Sequence, residues 1–115
     1  MNHFIIRPVA TGYKFDLRSS NGEVIATSEV YRTEAACHKG ILSVRKNAPT
    51  APAIDLSCGA LCSNPRFELY QDRSGQYRFR LRARNGSIIA VSENYTAKSN
   101  CLDGIAAVQK YASEE

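Results

Sequence analysis

The sequence predicts an α+β domain of two tandem β-β-β-α repeats, related by a pseudo-twofold axis and sharing one antiparallel sheet, with the helices packed on one face. Two observations predict this fold. Residues 13–48 and 77–112 align without insertion at a spacing of 64 residues, and 17 of the 36 positions are identical. Within each copy the apolar period changes from two, typical of a half-buried strand, to 3.6, typical of an amphipathic helix.

The chain of 115 residues has the length of one ordinary domain. A repeat of roughly 48 residues has a length at which a core of its own is marginal, so the two copies are expected to share one core. We therefore expect a single domain over residues 1–115. It comprises repeat one (1–48), a proline-rich linker (49–66) and repeat two (67–112).

Three strands are expected in each repeat. A short apolar run predicts the first, from Phe4 to Arg7 before Pro8, and its counterpart runs from Phe67 to Tyr70. The alternating segments that begin at Tyr13 and Tyr77 predict the second strand, with one face in water. A third apolar run follows in each copy.

Each copy has an Asn-Gly pair between its second and third strands, Asn21-Gly22 and Asn85-Gly86. Both central residues of a type I′ turn need a positive φ angle, and asparagine and glycine tolerate it best. The sequence therefore predicts two type I′ hairpins.

A helix is expected after Tyr31 and after its counterpart, with Thr33 as an N-cap. The apolar stripes comprise Cys37, Gly40, Ile41, Val44 and Ala48 in repeat one, and Cys101, Gly104, Ile105, Val108 and Ala112 in repeat two. A glycine inside a helix costs about 1 kcal/mol relative to alanine. Its presence on both inward faces predicts a close approach of the helix backbone, with a break into two shorter helices as the alternative.

The bulk properties indicate a globular cytoplasmic protein. The chain carries a net charge of +4, which permits a polyanionic partner without requiring one. No apolar run is long enough to span a membrane, and Arg7 and Pro8 interrupt the only candidate for a secretory leader. In the cytoplasm the four cysteines are expected to be reduced thiols.

The pattern that the two copies share is Y-x-F-x-L-x-x-x-N-G-x-x-I-A-x-S-E-x-Y, followed by a helix with G-I-x-x-V and then A. This pattern resembles the YegP-like family, bacterial tandem-repeat proteins with a domain of unknown function. The resemblance implies two β3-α units in one sheet, with the C-terminal helices exchanged between the halves. It also implies that single-repeat members dimerise and that a tandem chain is a fused dimer, a monomer in solution. It implies no activity, cofactor or catalytic residue.

The strongest functional candidate is an arginine row in the second copy, formed by Arg78, Arg80, Arg82 and Arg84. These residues alternate with apolar ones, so all four are expected on one face of one strand, where a phosphate backbone could follow them. The alternative is a solvated sheet face whose charge is balanced by a neighbouring acid, for example one from repeat one. The matching strand of repeat one carries Asp16 in its row.

The other polar motifs have structural interpretations. Ser28-Glu29-x-Tyr31 and its copy, which begins at Ser92, fit the turn between strand and helix. Cys37 and Cys101 fit the core, and His38 has no evident carboxylate partner. Cys58 and Cys62 have neither a redox spacing nor a full zinc set. A metal site would need two further ligands, for which His3 and His38 are the only histidines in the sequence, and a disulfide within the linker is the other alternative.

Three function classes follow. The first is a non-catalytic binding or interaction module whose ligand the sequence does not reveal. The second is nucleic-acid or other polyanion binding through the face from Arg78 to Arg84. The third is an enzyme or metal site that uses cysteine and histidine, although no known catalytic motif is present in the sequence. No catalytic, metal or cofactor-binding residue is assigned.

Overall fold

The computed structural model describes residues 3–56 and 63–113. These residues form seven strands: β1 (Phe4–Val9), β2 (Gly12–Arg18), β3 (Val24–Thr27), β4 (Ala53–Asp55), β5 (Arg66–Gln71), β6 (Tyr77–Arg82) and β7 (Ile88–Val91). The two α-helices are α1 (Glu34–Asn47) and α2 (Lys98–Ser113), and Ala48–Thr50 form a turn of 3-10 helix. The α+β class predicted from the sequence is confirmed.

All seven strands belong to one sheet, in the order β1-β2-β3-β7-β6-β5-β4. The third strands of the two repeats meet at its centre, where β3 and β7 pair antiparallel through Thr27 and Val91. At one edge, β4 comes from the predicted linker and pairs parallel with β5. The sheet is therefore mixed, and the prediction of a wholly antiparallel sheet is wrong. A three-residue strand is too short to show any period in the sequence.

The first strand is two residues longer than predicted, because β1 continues through Pro8 to Val9. Pro8 lies opposite Tyr13 of β2. Proline lacks an N–H group, but β1 is an edge strand with one unpaired side, where such a residue is tolerated.

Both hairpin turns lie where the Asn-Gly pairs predict them, but they are not type I′. No described residue other than glycine has a positive φ, whereas Gly22 has φ 88° and Gly86 has φ 89°. Asn21 does not need a left-handed backbone, because its side-chain oxygen accepts a hydrogen bond from the Glu23 N–H at 3.1 Å. The geometry fits a longer hairpin loop with glycine alone in the left-handed region.

The core lies between the sheet and the helices. Its largest fully buried apolar side chains are Phe15, Leu17, Phe67, Leu69, Phe79 and Leu81, and the apolar stripes predicted for both helices are buried against them. Thr33 caps α1 as predicted, since its Oγ1 accepts from the Ala36 N–H at 3.1 Å.

Both helices continue through their inward glycines, which confirms the predicted close approach. A Cβ atom at Gly40 would overlap the Tyr31 hydroxyl and lie 3.1 Å from the Phe15 ring, and Gly104 meets Tyr95 in the same way. Neither helix, nor any other in residues 3–56 and 63–113, has the length and apolar character to span a membrane.

The outer face of the sheet as candidate functional site

Three of the four predicted arginines share one face of β6. Phe79 and Leu81 of this strand are buried on the helix side, so Arg78, Arg80 and Arg82 project from the opposite side of the sheet. We call this side the outer face. Arg80 and Arg82 each retain 27% of their side-chain exposure there. Both side chains are thus accessible from solvent but partly buried.

The fourth arginine does not join the row. β6 ends at Arg82, and its register with β7 shifts between Leu81 and Arg82. Arg84 lies beyond this irregularity in the β6–β7 turn, where it is exposed and lines a cleft with residues of α1. The sequence pattern could not show this, because strict alternation fails at a bulge and at a turn.

A single buried carboxylate organises the row. Glu68 of β5 is 2% exposed and lies directly opposite Arg80. Its Oε1 accepts from the Arg80 Nε at 2.6 Å and from the Arg82 Nε at 2.8 Å, while its Oε2 accepts from the Arg66 Nε at 2.9 Å. Burial alone would raise the pKa of Glu68. The hydrogen bonds from Arg80, Arg82 and Arg66 outweigh it and hold the pKa at about 2.

The remaining arginine, Arg78, is fixed at the end of the row. Its Nη2 donates to the Ser92 carbonyl at 3.1 Å, and its buried Nε has no hydrogen-bond partner in the described part of the chain. The guanidinium of Arg80 lies 4.6 Å from the centre of the Tyr70 ring, a cation–π contact. The row is therefore well ordered, with an aromatic ring at its side.

Sequence reasoning missed Arg66 and Glu68, and it placed the balancing acid in the wrong repeat. The acid comes from repeat two itself. The sequence did contain a signal for this pairing. In a hairpin centred on Ser74, residues at equal distances on either side of Ser74 face each other, so Glu68 lies opposite Arg80 and Arg66 opposite Arg82.

Repeat one contributes a smaller cluster to the same face. Asp16 of β2 is 5% exposed, and its Oδ2 accepts from the Arg7 Nε at 2.9 Å. Its Oδ1 accepts from the Thr27 hydroxyl at 2.8 Å. Among the described strand residues, the outer face carries seven basic and two acidic side chains: Arg7, Lys14, Arg18, Arg66, Arg78, Arg80 and Arg82 with Asp16 and Glu68. It is strongly basic.

The repeated Ser-Glu-x-Tyr motifs form the turns predicted for them. Ser28 Oγ accepts from the Phe15 N–H at 2.9 Å and donates to the Glu29 carbonyl at 2.7 Å, and Ser92 makes the equivalent bonds. Tyr31 pairs with Tyr13 through two backbone hydrogen bonds of 2.7 and 2.8 Å. Burial raises the pKa of the Tyr31 hydroxyl. These contacts are structural.

The cysteines and histidines that the structure describes do not converge. Cys37 and Cys101 are fully buried free thiols, and burial raises the pKa of Cys101 to about 11. His38 lies 4.0 Å from Glu34 on the exposed side of α1, so it does have a carboxylate neighbour. Within residues 3–56 and 63–113 no group of three histidine, cysteine or acidic residues could hold a metal. Cys58 and Cys62 lie outside the described residues.

Comparison with known protein families identifies the chain. A family model described as a domain of unknown function (DUF1508) matches residues 9–55 and 72–115. The chain belongs to this family. The two matched segments correspond to the two copies found in the sequence.

Relatives of two lengths are similar to this chain. A UPF0339 protein of Photorhabdus laumondii is 40% identical over 101 residues, which are 88% of this chain and 77% of that protein. A UPF0339 protein of Methanosarcina acetivorans is 55% identical over 47 residues, which are 41% of this chain but 81% of that protein. The second relative is thus little longer than one repeat.

The fold is also found in a solved structure. The solution structure of yegP from E. coli, a protein of unknown function, is 30% identical and superposes with a TM-score of 0.79 over 97% of this chain and 86% of that one. The resemblance to the YegP-like family that the sequence indicates is therefore confirmed. These comparisons assign no activity.

Proposed function

We propose that the chain is a small non-catalytic binding module that binds a phosphate polyanion on its outer face. The supporting observation is the excess of guanidinium groups around Glu68. Three arginines (Arg66, Arg80 and Arg82) share this one carboxylate, and Arg78 lies in the same row without contacting it. The four arginines and Glu68 together carry a local net charge of +3.

Contact with the Glu68 carboxylate makes the arginines better suited to bind phosphate. A guanidinium group has five N–H donors in a planar fork, and Glu68 takes only one or two from each of its partners. Arg82 gives a further donor, Nη1, to the Gly86 carbonyl at 2.8 Å. Arg80 and Arg82 keep 27% of their side-chain exposure, through which a phosphate can reach them. Because these side chains are already ordered, they lose less entropy on binding. Alternate residues lie about 7 Å apart along a strand, so the row offers repeated contacts to a phosphate backbone.

Fluorescence anisotropy with labelled single-stranded and duplex oligonucleotides at low ionic strength tests this proposal. We expect binding that weakens steeply with salt. The double variant Arg78→Gln, Arg82→Gln should weaken binding and reduce the slope of log affinity against log salt by about 0.7 per lost contact for single strands. Arg32→Gln is the control for the loss of an exposed charge outside the sheet, and it removes one charge where the double variant removes two.

Two outcomes would overturn the proposal. One is the absence of binding at low salt. The other is an affinity in the double variant that equals that of Arg32→Gln. Circular dichroism on each variant ensures that a loss of binding does not reflect unfolding.

As part of this proposal, the chain is a monomer that acts as a fused pseudo-dimer, with the repeat boundaries expected above and the helices exchanged across a pseudo-twofold axis. Its support is the single-repeat length of the Methanosarcina relative and the contacts of α2 with β2 and β3 of repeat one. Residues 1–66 alone should be unfolded or dimeric by size-exclusion chromatography with light scattering. A stable monomeric half would contradict this architecture.

The cytoplasmic location is also proposed. It is supported by the free thiols of Cys37 and Cys101, which a reducing compartment preserves. Intact mass measurement under non-reducing conditions, on protein whose thiols are alkylated in denaturant at cell lysis so that the buried cysteines react, should show four alkylated cysteines. A mass lacking alkyl groups would contradict a reducing location.

A further inference from the structure

The chain has two clefts at equivalent places, each formed where the hairpin turn of one repeat meets the helix of the other. The first lies between the β6–β7 turn and α1, and the second between the β2–β3 turn and α2. Their volumes are about 460 and 510 Å³. Both are on the helix side of the sheet, away from the outer face, and both fall in the size range of small-molecule sites.

The clefts differ in charge. The first is lined by Lys39 and Lys46 of α1 and by Arg84 of the turn, with no acidic residue in its lining. The second is lined by Glu23 and Asp103, with no basic residue in its lining. Asp103 occupies the repeat position of Lys39. Divergence of the two copies has therefore made one cleft basic and the other acidic.

The cations of the first cleft are available to a ligand. Lys39, Lys46 and Arg84 form no ion pair within the described residues. Residues 39 and 46 are two helical turns apart and therefore lie on the same side of α1. Such a group of three cations favours a dianion, and a phosphate monoester carries close to two charges at neutral pH.

An apolar surface accompanies these cations. Leu42 lies between the two lysines on the same side of α1, lines the cleft and is 63% exposed. Ala83 lies across from it on the turn and is 7% exposed. Ser43 and Asn85 add polar groups. A ligand that only carried charge would leave Leu42 in water.

We propose that this basic cleft binds a small phosphate monoester that carries an apolar group. The phosphate contacts Arg84, Lys39 and Lys46, and the apolar group covers Leu42. Arg84, which left the arginine row at the end of β6, thus belongs to a second site. This site is independent of polyanion binding on the outer face.

Titration of the ¹⁵N-labelled full chain with 1-naphthyl phosphate, followed by two-dimensional NMR, tests the proposal. We expect saturable shifts of the backbone amides of residues 39–47 and 83–85. Inorganic phosphate should shift the same residues at higher concentration, and 1-naphthol should bind weakly or not at all. Shifts confined to the outer face, or the absence of saturable shifts, would overturn the proposal.

Single substitutions test the contacts to the phosphate and to the apolar group separately. Arg84→Gln and Lys39→Gln should each weaken binding of naphthyl phosphate about fivefold or more, because each removes a charge-assisted hydrogen bond. Leu42→Ser should weaken naphthyl phosphate but leave inorganic phosphate unchanged. Lys110→Gln is the matched control, because Lys110 occupies the repeat position of Lys46 and lines neither cleft. Wild-type affinity in both Arg84→Gln and Lys39→Gln would refute the site.

The same variants distinguish this site from the outer face. Arg84→Gln should leave oligonucleotide binding unchanged, whereas Arg78→Gln with Arg82→Gln should leave naphthyl phosphate binding unchanged. A loss of both activities in Arg84→Gln would mean that one surface binds both ligands, which contradicts a separate cleft.

Discussion

The two repeats place a buried carboxylate on the outer face by different routes. In repeat one it is Asp16, on the second strand, with one arginine and a threonine as partners. In repeat two it is Glu68, on the first strand, with three arginines. The position of Asp16 in repeat two is held by Arg80. Repeat two therefore carries the larger excess of positive charge.

On the side of the sheet that faces the helices, by contrast, the two repeats make the same contacts. Phe15 and Phe79, the inward glycines of the helices and the tyrosines that meet them make the same contacts in both repeats. A close-packed interior tolerates little change in volume, whereas a sheet surface tolerates any residue whose charge is balanced. The comparison teaches that the two copies kept the same contacts on the packed side while their charges diverged on the outer face.

The largest effect is expected from Glu68→Gln. It removes the charge of a carboxylate that pairs with three partly buried guanidinium groups, so we expect a loss of about 3 kcal/mol in the free energy of unfolding. Urea unfolding followed by circular dichroism measures it. Glu93→Gln, at an exposed site, is the control and should change stability by less than about 0.5 kcal/mol. If Glu68→Gln changed stability as little as Glu93→Gln does, the Glu68 cluster would not stabilise repeat two more than the Asp16 cluster stabilises repeat one.

The pH dependence of stability should follow the same carboxylate. The folded pKa of Glu68, about 2, lies below the value of about 4.3 expected in an unfolded chain. Its stabilisation is therefore complete above about pH 5 and is lost as the pH falls through 2, and it amounts to at most about 3 kcal/mol. The stability difference between the wild type and Glu68→Gln should shrink over this range. A difference that stays constant from pH 6 to pH 2 would contradict the assignment.

The packed side should respond equally in both repeats. Gly40→Ala and Gly104→Ala should each destabilise the fold by about 2 kcal/mol, because the overlap with tyrosine outweighs the gain in helix propensity. Tyr31→Phe removes the nearest overlapping atom and should partly rescue Gly40→Ala in thermal unfolding. Stabilisation by either alanine, or very different losses in the two repeats, would show that the packed sides are not equivalent.

The smallest effect is expected from Asp16→Asn. Arg7 keeps 44% of its side-chain exposure, so it remains hydrated when its partner is neutralised. We expect a loss of about 1 kcal/mol in urea unfolding, from weakened bonds to Arg7 and Thr27. A loss as large as that of Glu68→Gln would show that the two clusters contribute equally to the free energy of unfolding.

The sequence by itself determined the class of the fold, the hairpins and the helices. Strand and helix periods, the Asn-Gly pairs and the inward glycines are local signals, and a 64-residue spacing repeats each of them. It also predicted an arginine row of four residues, and alternation correctly places three of them, Arg78, Arg80 and Arg82, on one face. Local backbone preference and apolar periodicity are sufficient for these features.

Only the tertiary structure decided which charged side chains contact each other. The pairing of β5 with β6 brings Glu68 among the arginines, and the bulge at Leu81–Arg82 sends Arg84 to a different surface. The parallel strand β4 and the clefts between repeats depend on segments that are distant along the chain. The bonds from Arg80 and Arg82 to Glu68 join side chains that are 12 and 14 residues apart, so only the pairing of neighbouring strands brings these charges together.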